Sequence, residues 1–271
     1  MVKIEPTEVH GAMSWSIVSD AVMVSVIVTG AKVGPVVFRS GDRTATPYSL
    51  APWAPGTVPS VPTLLDALRD DFFCLPFGEQ PDGPLHGEPA SSEWTLASRT
   101  DSSLTLHLEA TDSGASIDKS VSVRPGQTVL YQEFLVTGLQ GPLSYGTHPI
   151  LDFSKEVAGS ARISTSPMRW CSTHPGLFSD PALGETQILA QGATFESLTA
   201  IPTADGGSLD MSRYPTPPGH EDLVMMANDP TSGRVGWSAA VFDGFVWYSI
   251  KDIATFPATL LWISNGGRTQ A

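Results

Sequence analysis

Apolar and polar residues alternate with a period of two through much of this chain, which is the signature of strands with one buried face. Ser14 to Val18 and Val22 to Val28 are rich in β-branched residues and flank Ser19-Asp20, so they predict a hairpin. Gly30 and Gly34 punctuate the chain before a further short strand at Val36 to Phe38. Ser103 to Leu108 and Ser116 to Val123 alternate cleanly, the latter stopping at Arg124-Pro125-Gly126, and Thr128 to Thr137 predicts a longer strand. Near the end, Val235 to Val241 and Phe245 to Ile250 flank Asp243-Gly244, a strong hairpin signal. Thr259 to Ser264 is an apolar strand stopped by Asn265-Gly266-Gly267. Only Thr63 to Arg69 predicts a short helix, with Leu64, Leu65 and Leu68 on one side. Pro47 to Pro62 has no period, but Tyr48, Leu50 and Trp53 make it an ordered loop rather than a solvated linker. Strands and turns at this spacing predict an all-β sandwich, and no internal repeat or composition shift marks a boundary, so residues 1–271 read as a single domain.

Composition agrees with that reading. Of 271 residues, 41% are hydrophobic and only 16% charged, and 25 Gly and 23 Pro suit many tight turns. The net charge of −13 repels phosphate backbones and anionic lipid, so neither nucleic acid nor a membrane is an expected partner. Ala21 to Val28, the most apolar early stretch, is too short to span a bilayer, and no basic region followed by an apolar run marks a signal peptide. Cys74 and Cys171 lack metal-type spacing and read as two buried thiols, which makes the cytoplasm the expected location.

The candidate chemistry lies in the histidines. His107 sits inside an alternating strand, where a cross-strand role is expected; His10 lies near the terminus, and His174 and His220 neighbour Pro and Gly in loops. His86 and His148 differ in context. His86 ends a turn-rich polar loop that follows the apolar run Phe72 to Phe77, and Gly87 beside it permits close approach of backbone to a ligand. His148 precedes Pro149, which pushes it toward an extended conformation.

Arg69, then Phe73-Cys74-Leu75-Pro76-Phe77-Gly78, then His86-Gly87, Trp94 and Thr147-His148-Pro149, resembles the galactose mutarotase-like superfamily. That group includes aldose 1-epimerases and hexose-6-phosphate mutarotases. The resemblance covers about Gly30 to Trp262 and implies a large antiparallel β-supersandwich with few short helices. It implies interconversion of the α and β anomers of an aldose, a cofactor-free and metal-free isomerase reaction. Ring opening removes the anomeric hydroxyl proton and protonates the ring oxygen, work suited to groups that titrate near neutrality. By resemblance, His148 is the catalytic acid at the ring oxygen and His86 holds the ring through a hydrogen bond. Arg69 is then a ligand-binding side chain (or a surface charge), and Trp94 an apolar wall for a sugar face (or core). Glu79, Glu88 and Asp222 are further candidate substrate-binding carboxylates.

The sequence departs from the family at the expected general base, a glutamate on a strand following the tryptophan matched here by Trp262. No glutamate follows Glu221. The domain is accordingly expected to be C-terminally short, and three readings stand: a non-catalytic sugar-binding or sensor module, an enzyme using another carboxylate (Glu79, Glu88, Glu93 or Asp222), or an incomplete version of a longer protein. A missing strand would expose a sheet edge and invite a homo-oligomer. Arg69 is the single basic side chain between Arg43 and Arg99, which favours a neutral sugar, whereas the Phe73 to Gly78 run leans toward a sugar phosphate.

Overall fold

A computed structural model of the protein describes residues 5–58 and 63–267. The predominant element is the antiparallel strand, and the chain forms two compact units, Met1–Asp152 and Phe153–Ala271.

The first unit opens with a five-stranded meander: β1 (Thr7–Val9), β2 (Ala12–Val18), β3 (Val22–Ile27), β4 (Val33–Ser40) and β5 (Arg43–Ala45). The predicted hairpin is its centre, with Ser14 opposite Ile27 and Val18 opposite Met23. Gly34 lies inside β4 instead of ending a turn: at φ 145° it lies so close to the Asp70 carboxylate that a Cβ would come within 2.6 Å. The Thr63–Arg69 helix shortens to one turn, α1 (Thr63–Asp66). In the preceding loop, Trp53 Nε1 donates to the Asp66 carbonyl and Gly56 N to the Asp66 carboxylate, so the described part is pinned; 59–62 lie outside the described residues.

After the short β6 (Phe73–Cys74) come β7 (Thr95–Arg99), β8 (Ser103–Ala110), β9 (Ala115–Val123) and β10 (Leu130–Thr137), a second meander in the order β10-β9-β8-β7. β9 alternates buried and half-buried without exception. Val22, Val24 and Val26 from one sheet and Leu104, Leu106, Ile117 and Val121 from the other form a single core cluster. Each such side chain contributes roughly 1.5–3 kcal/mol by leaving water. His107, half-buried on β8, bridges Asp118 at 2.7 Å and Glu109 at 3.0 Å, a cross-strand role as expected. β11 (Gly146–Thr147) pairs with β6.

The second unit contains β12 (Ala161–Thr165), β13 (Met168–Thr173), β14 (Ile201–Pro202), β15 (Ser208–Leu209), β16 (Arg213–Tyr214), β17 (His220–Asn228), β18 (Val235–Phe242), β19 (Phe245–Asp252) and β20 (Ala258–Asn265). One sheet has the order β16-β12-β18-β19 and another β13-β17-β20. The Asp243-Gly244 hairpin forms as predicted, with Phe242 opposite Phe245. Cys74 and Cys171 are both buried free thiols. Among the described residues, no helix is long and apolar enough to cross a membrane.

Candidate functional site

In the first unit, a short extended segment organises the chemistry. Asp71 exchanges backbone hydrogen bonds with Val33 on one side. On the other, Phe72 and Asp70 carbonyls accept from the His148 and Ile150 amides at 2.9 and 2.6 Å. His148, extended because Pro149 follows, is thereby fixed to the strand that carries Phe72. Its imidazole stacks on the Phe72 ring, centroids 4.8 Å apart and planes 9° from parallel.

His86 is held by a different device. Its backbone is left-handed (φ 64°), an uncommon state for a non-glycine residue that stores of the order of 1–3 kcal/mol. Three bonds hold it: His86 N donates to the Gly78 carbonyl at 2.9 Å, Gly78 N donates to His86 Nδ1 at 3.0 Å, and Leu75 N donates to the His86 carbonyl. Gly87 next to it (φ 77°) is obligatory, because a Cβ there would lie 2.0 Å from the Leu75 carbonyl oxygen. The residues from 78 to 86 thus form a closed loop that aims one imidazole.

The two imidazoles meet edge to face, 5.3 Å apart at 72°, with Phe77 4.9 Å from His86. Because Nδ1 of His86 accepts the Gly78 N–H, its proton must reside on Nε2, which becomes a donor. Nδ1 of His148 is shielded from solvent. Burial pushes His86 down to about 4, with the neighbouring His148 adding to the effect, and burial likewise pushes His148 to about 4. The expectation that these groups titrate near neutrality therefore changes: both are neutral at pH 7.

Asp71 lies beneath the pair. Its carboxylate accepts from the His148 amide at 3.1 Å and from Gln132 Nε2 at 2.6 Å. Burial raises its pKa, opposed by the buried Lys119 ammonium, which itself donates to the Ala31 carbonyl. Neither Asp71 nor Phe72 was singled out from the sequence, although both sit in or beside the apolar run that precedes His86.

The other candidates are placed differently. Arg69 is buried rather than a surface charge, and its guanidinium donates to the His10 carbonyl at 2.6 Å. Trp94 is 1% exposed in the core, its indole N–H on the Pro89 carbonyl, so it presents no face to a sugar. Glu88 is braced against Thr111 Oγ1 and the Asp112 amide. Glu79 is exposed in the loop that aims His86, and Glu93 is exposed as well.

Asp222 belongs to the second unit, where it is buried on β17 and accepts from the Ile188 and Leu189 amides. It also bonds His220 Nδ1 at 2.6 Å, while His220 Nε2 meets Thr216 Oγ1 at 3.1 Å. His220 starts a strand rather than sitting in a loop, and all three groups are buried. Glu221 beside them accepts from Trp262 Nε1 at 2.8 Å and Ser264 Oγ at 3.1 Å. A cavity of about 520 Å³ in this unit, lined by Leu177, Ser179, Glu185, Gln187 and Gln191, contains no imidazole. No cluster of three or more His, Cys, Asp or Glu suited to a metal ion occurs among the described residues.

No protein-family model matches the sequence, and no curated protein matches it. Solved structures do. A galactose mutarotase related enzyme of Lactobacillus acidophilus aligns with a TM-score of 0.55 at 12% identity, over 96% of this chain and 88% of that one. A galactose mutarotase-like protein of Lactobacillus casei gives 0.53 at 13%, over 95% and 84%. An Escherichia coli K12 protein described as a candidate aldose 1-epimerase gives 0.51 at 17%, over 84% and 77%. The chain has the galactose mutarotase-like fold, the mostly antiparallel β architecture that the resemblance implied.

Proposed function

We propose that the protein binds a neutral aldose at His86 and His148 and interconverts its anomers. The observation that carries this reading is the perpendicular imidazole pair, with His86 Nε2–H a donor, backed by Phe72 and Phe77. In the reaction, the anomeric O–H proton leaves to a base and its electron pair forms the C1 carbonyl. The bond from C1 to the ring oxygen breaks, the ring oxygen takes a proton, and reclosure on the other carbonyl face gives the opposite anomer. In this reading His86 Nε2–H donates to an oxygen at this centre, and His148 is the proton-transfer residue.

A neutral substrate is favoured because the buried cations of this unit already bond carbonyls: Lys32 that of Leu64, Arg69 that of His10, and Lys119 that of Ala31. The second reading, sugar binding without turnover, is favoured by the low pKa of both imidazoles, since little imidazolium is present at pH 7 to act as the acid. Two buried, unbridged thiols suit a reducing compartment, and the cytoplasm is the proposed setting.

Polarimetry and saturation-exchange NMR on a panel of aldoses separate the readings, with calorimetry on the same sugars. Turnover above the buffer rate that His148→Ala abolishes supports the enzyme. Binding without turnover, weakened by His86→Asn (a residue that tolerates the left-handed backbone), supports the sensor. Neither heat nor turnover with any aldose refutes both.

A further inference from the structure

The second unit exposes an apolar face at the edge of a sheet. The register of β18 with β19 sets Trp237 opposite Ile250, Ala239 opposite Tyr248 and Val241 opposite Val246. A period of two then gathers Val235, Trp237, Val241, Val246, Tyr248 and Ile250 on one side. These six side chains are between 37% and 64% exposed, while Gly236, Ala240 and Phe242 on the opposite side are buried. Among the described residues, β19 pairs with β18 alone and ends its sheet.

Sheet edges in proteins that stay monomeric are usually blunted by charge or proline. Phe245 to Ile250 contains neither. The charges that follow are already engaged: Lys251 by the Ala258 carbonyl and Thr259 Oγ1, Asp252 by Arg234. We propose that this face is the contact between two copies of the chain, packed about a two-fold axis.

Three observations select a second copy over other occupants. The first is area: at ordinary side-chain areas the six residues expose roughly 600 Å², so two copies together cover about 1,200 Å², the lower limit of a stable specific interface. Charge is the second. A chain of net charge −13 repels its own copies least across a patch without carboxylates, and it also repels anionic lipid. Composition is the third, because a tryptophan and a tyrosine among aliphatic residues, rimmed by polar groups, is the usual anatomy of an interface centre. The rim here is Arg162 and Ser164 on β12, opposite Val241 and Ala239, with the Arg234–Asp252 pair at the strand end. A two-fold contact also closes on itself and produces no fibre.

Sedimentation velocity on the full chain across a wide concentration range tests this, independently of any sugar. A concentration-dependent dimer is expected. Ile250→Glu acts twice across the two-fold and should weaken it on the order of 100-fold or more. Val246→Thr keeps the β-branched shape, guards against simple loss of folding, and should weaken it by a smaller factor; Leu135→Glu, exposed on the separate β10-β9-β8-β7 sheet, should leave it intact. A monomer at every concentration, or a dimer indifferent to both face substitutions, overturns the proposal. So does a monomer that co-sediments with phosphatidylcholine vesicles, which would assign the face to lipid.

Discussion

Replacing His148 by phenylalanine isolates the energetic consequence of keeping that imidazole neutral. The ring stack on Phe72 is retained, and the titrating nitrogens are lost. In the folded protein burial holds His148 at about 4 against an ordinary value of 6.5. Above pH 6.5 the group is neutral in both folded and unfolded states and contributes no pH dependence. Between 6.5 and 4 the unfolded chain takes up a proton that the folded chain refuses, so stability falls as pH falls. At 1.36 kcal/mol per pH unit that interval is worth about 3 kcal/mol. Asp70, which burial raises to about 8, has the opposite sign, but it is common to both proteins and cancels in the difference. Urea titrations of both proteins from pH 7 to pH 4 measure the quantity. The wild type should lose about 3 kcal/mol relative to His148→Phe, a shift of roughly 1 M in the urea midpoint difference. A stability difference that stays flat across this range, or an NMR titration of His148 near 6.5, would refute the reasoning and restore an imidazole that titrates near neutrality.

Further consequences can be measured separately. If turnover is found with His148 as the acid, kcat/KM should rise as pH falls from 7 toward about 4, because the imidazolium is the competent form and is populated in the free protein only there; a pH–rate profile checks this, and one that is flat over that range would refute it. Gly87→Ala should destabilise the protein by about 3 kcal/mol or more, since a left-handed glycine is replaced where a Cβ meets a backbone oxygen; thermal unfolding and loss of sugar binding report it together. Asp222→Ala should cost about 2–5 kcal/mol by stripping two amides and His220 of their partner, visible in denaturant unfolding.

The hairpins were legible because their strands alternate and their turns carry Ser-Asp or Asp-Gly, so local chemistry and tertiary packing agree. β17 was not. His220, Glu221 and Asp222 are three consecutive buried polar residues, and Leu223 to Ala227 contains two methionines and an alanine, so neither alternation nor β-branching marks the strand. Its polar start is satisfied partly within itself, His220 on Asp222 and on Thr216, and otherwise by the distant Ile188 and Leu189 amides, Trp262 and Ser264, which no local pattern reveals. The same limit applies around the imidazoles. His86 and His148 stood out through Gly87 and Pro149, their immediate neighbours. Asp71 and Phe72 matter through contacts with residue 148, more than seventy positions away, and read locally as part of an apolar run.

The carboxylates then narrow what the imidazole pair can do by itself. A general base must have a lone pair that no fixed donor occupies. Glu88 receives two donors and Asp222 three partners, so recruiting either would sacrifice interactions that hold a turn or a strand in place. Glu79 carries no comparable duty, is exposed, and shares the closed loop that aims His86. Its carboxylate also enters the electrostatics with the right sign: a negative charge brought beside His148 on sugar binding would lift that imidazole from about 4 toward neutrality, making it an acid only when substrate is present. A pair of neutral imidazoles is therefore compatible with both binding and turnover, and the difference between the two lies in whether a carboxylate joins them once a sugar arrives.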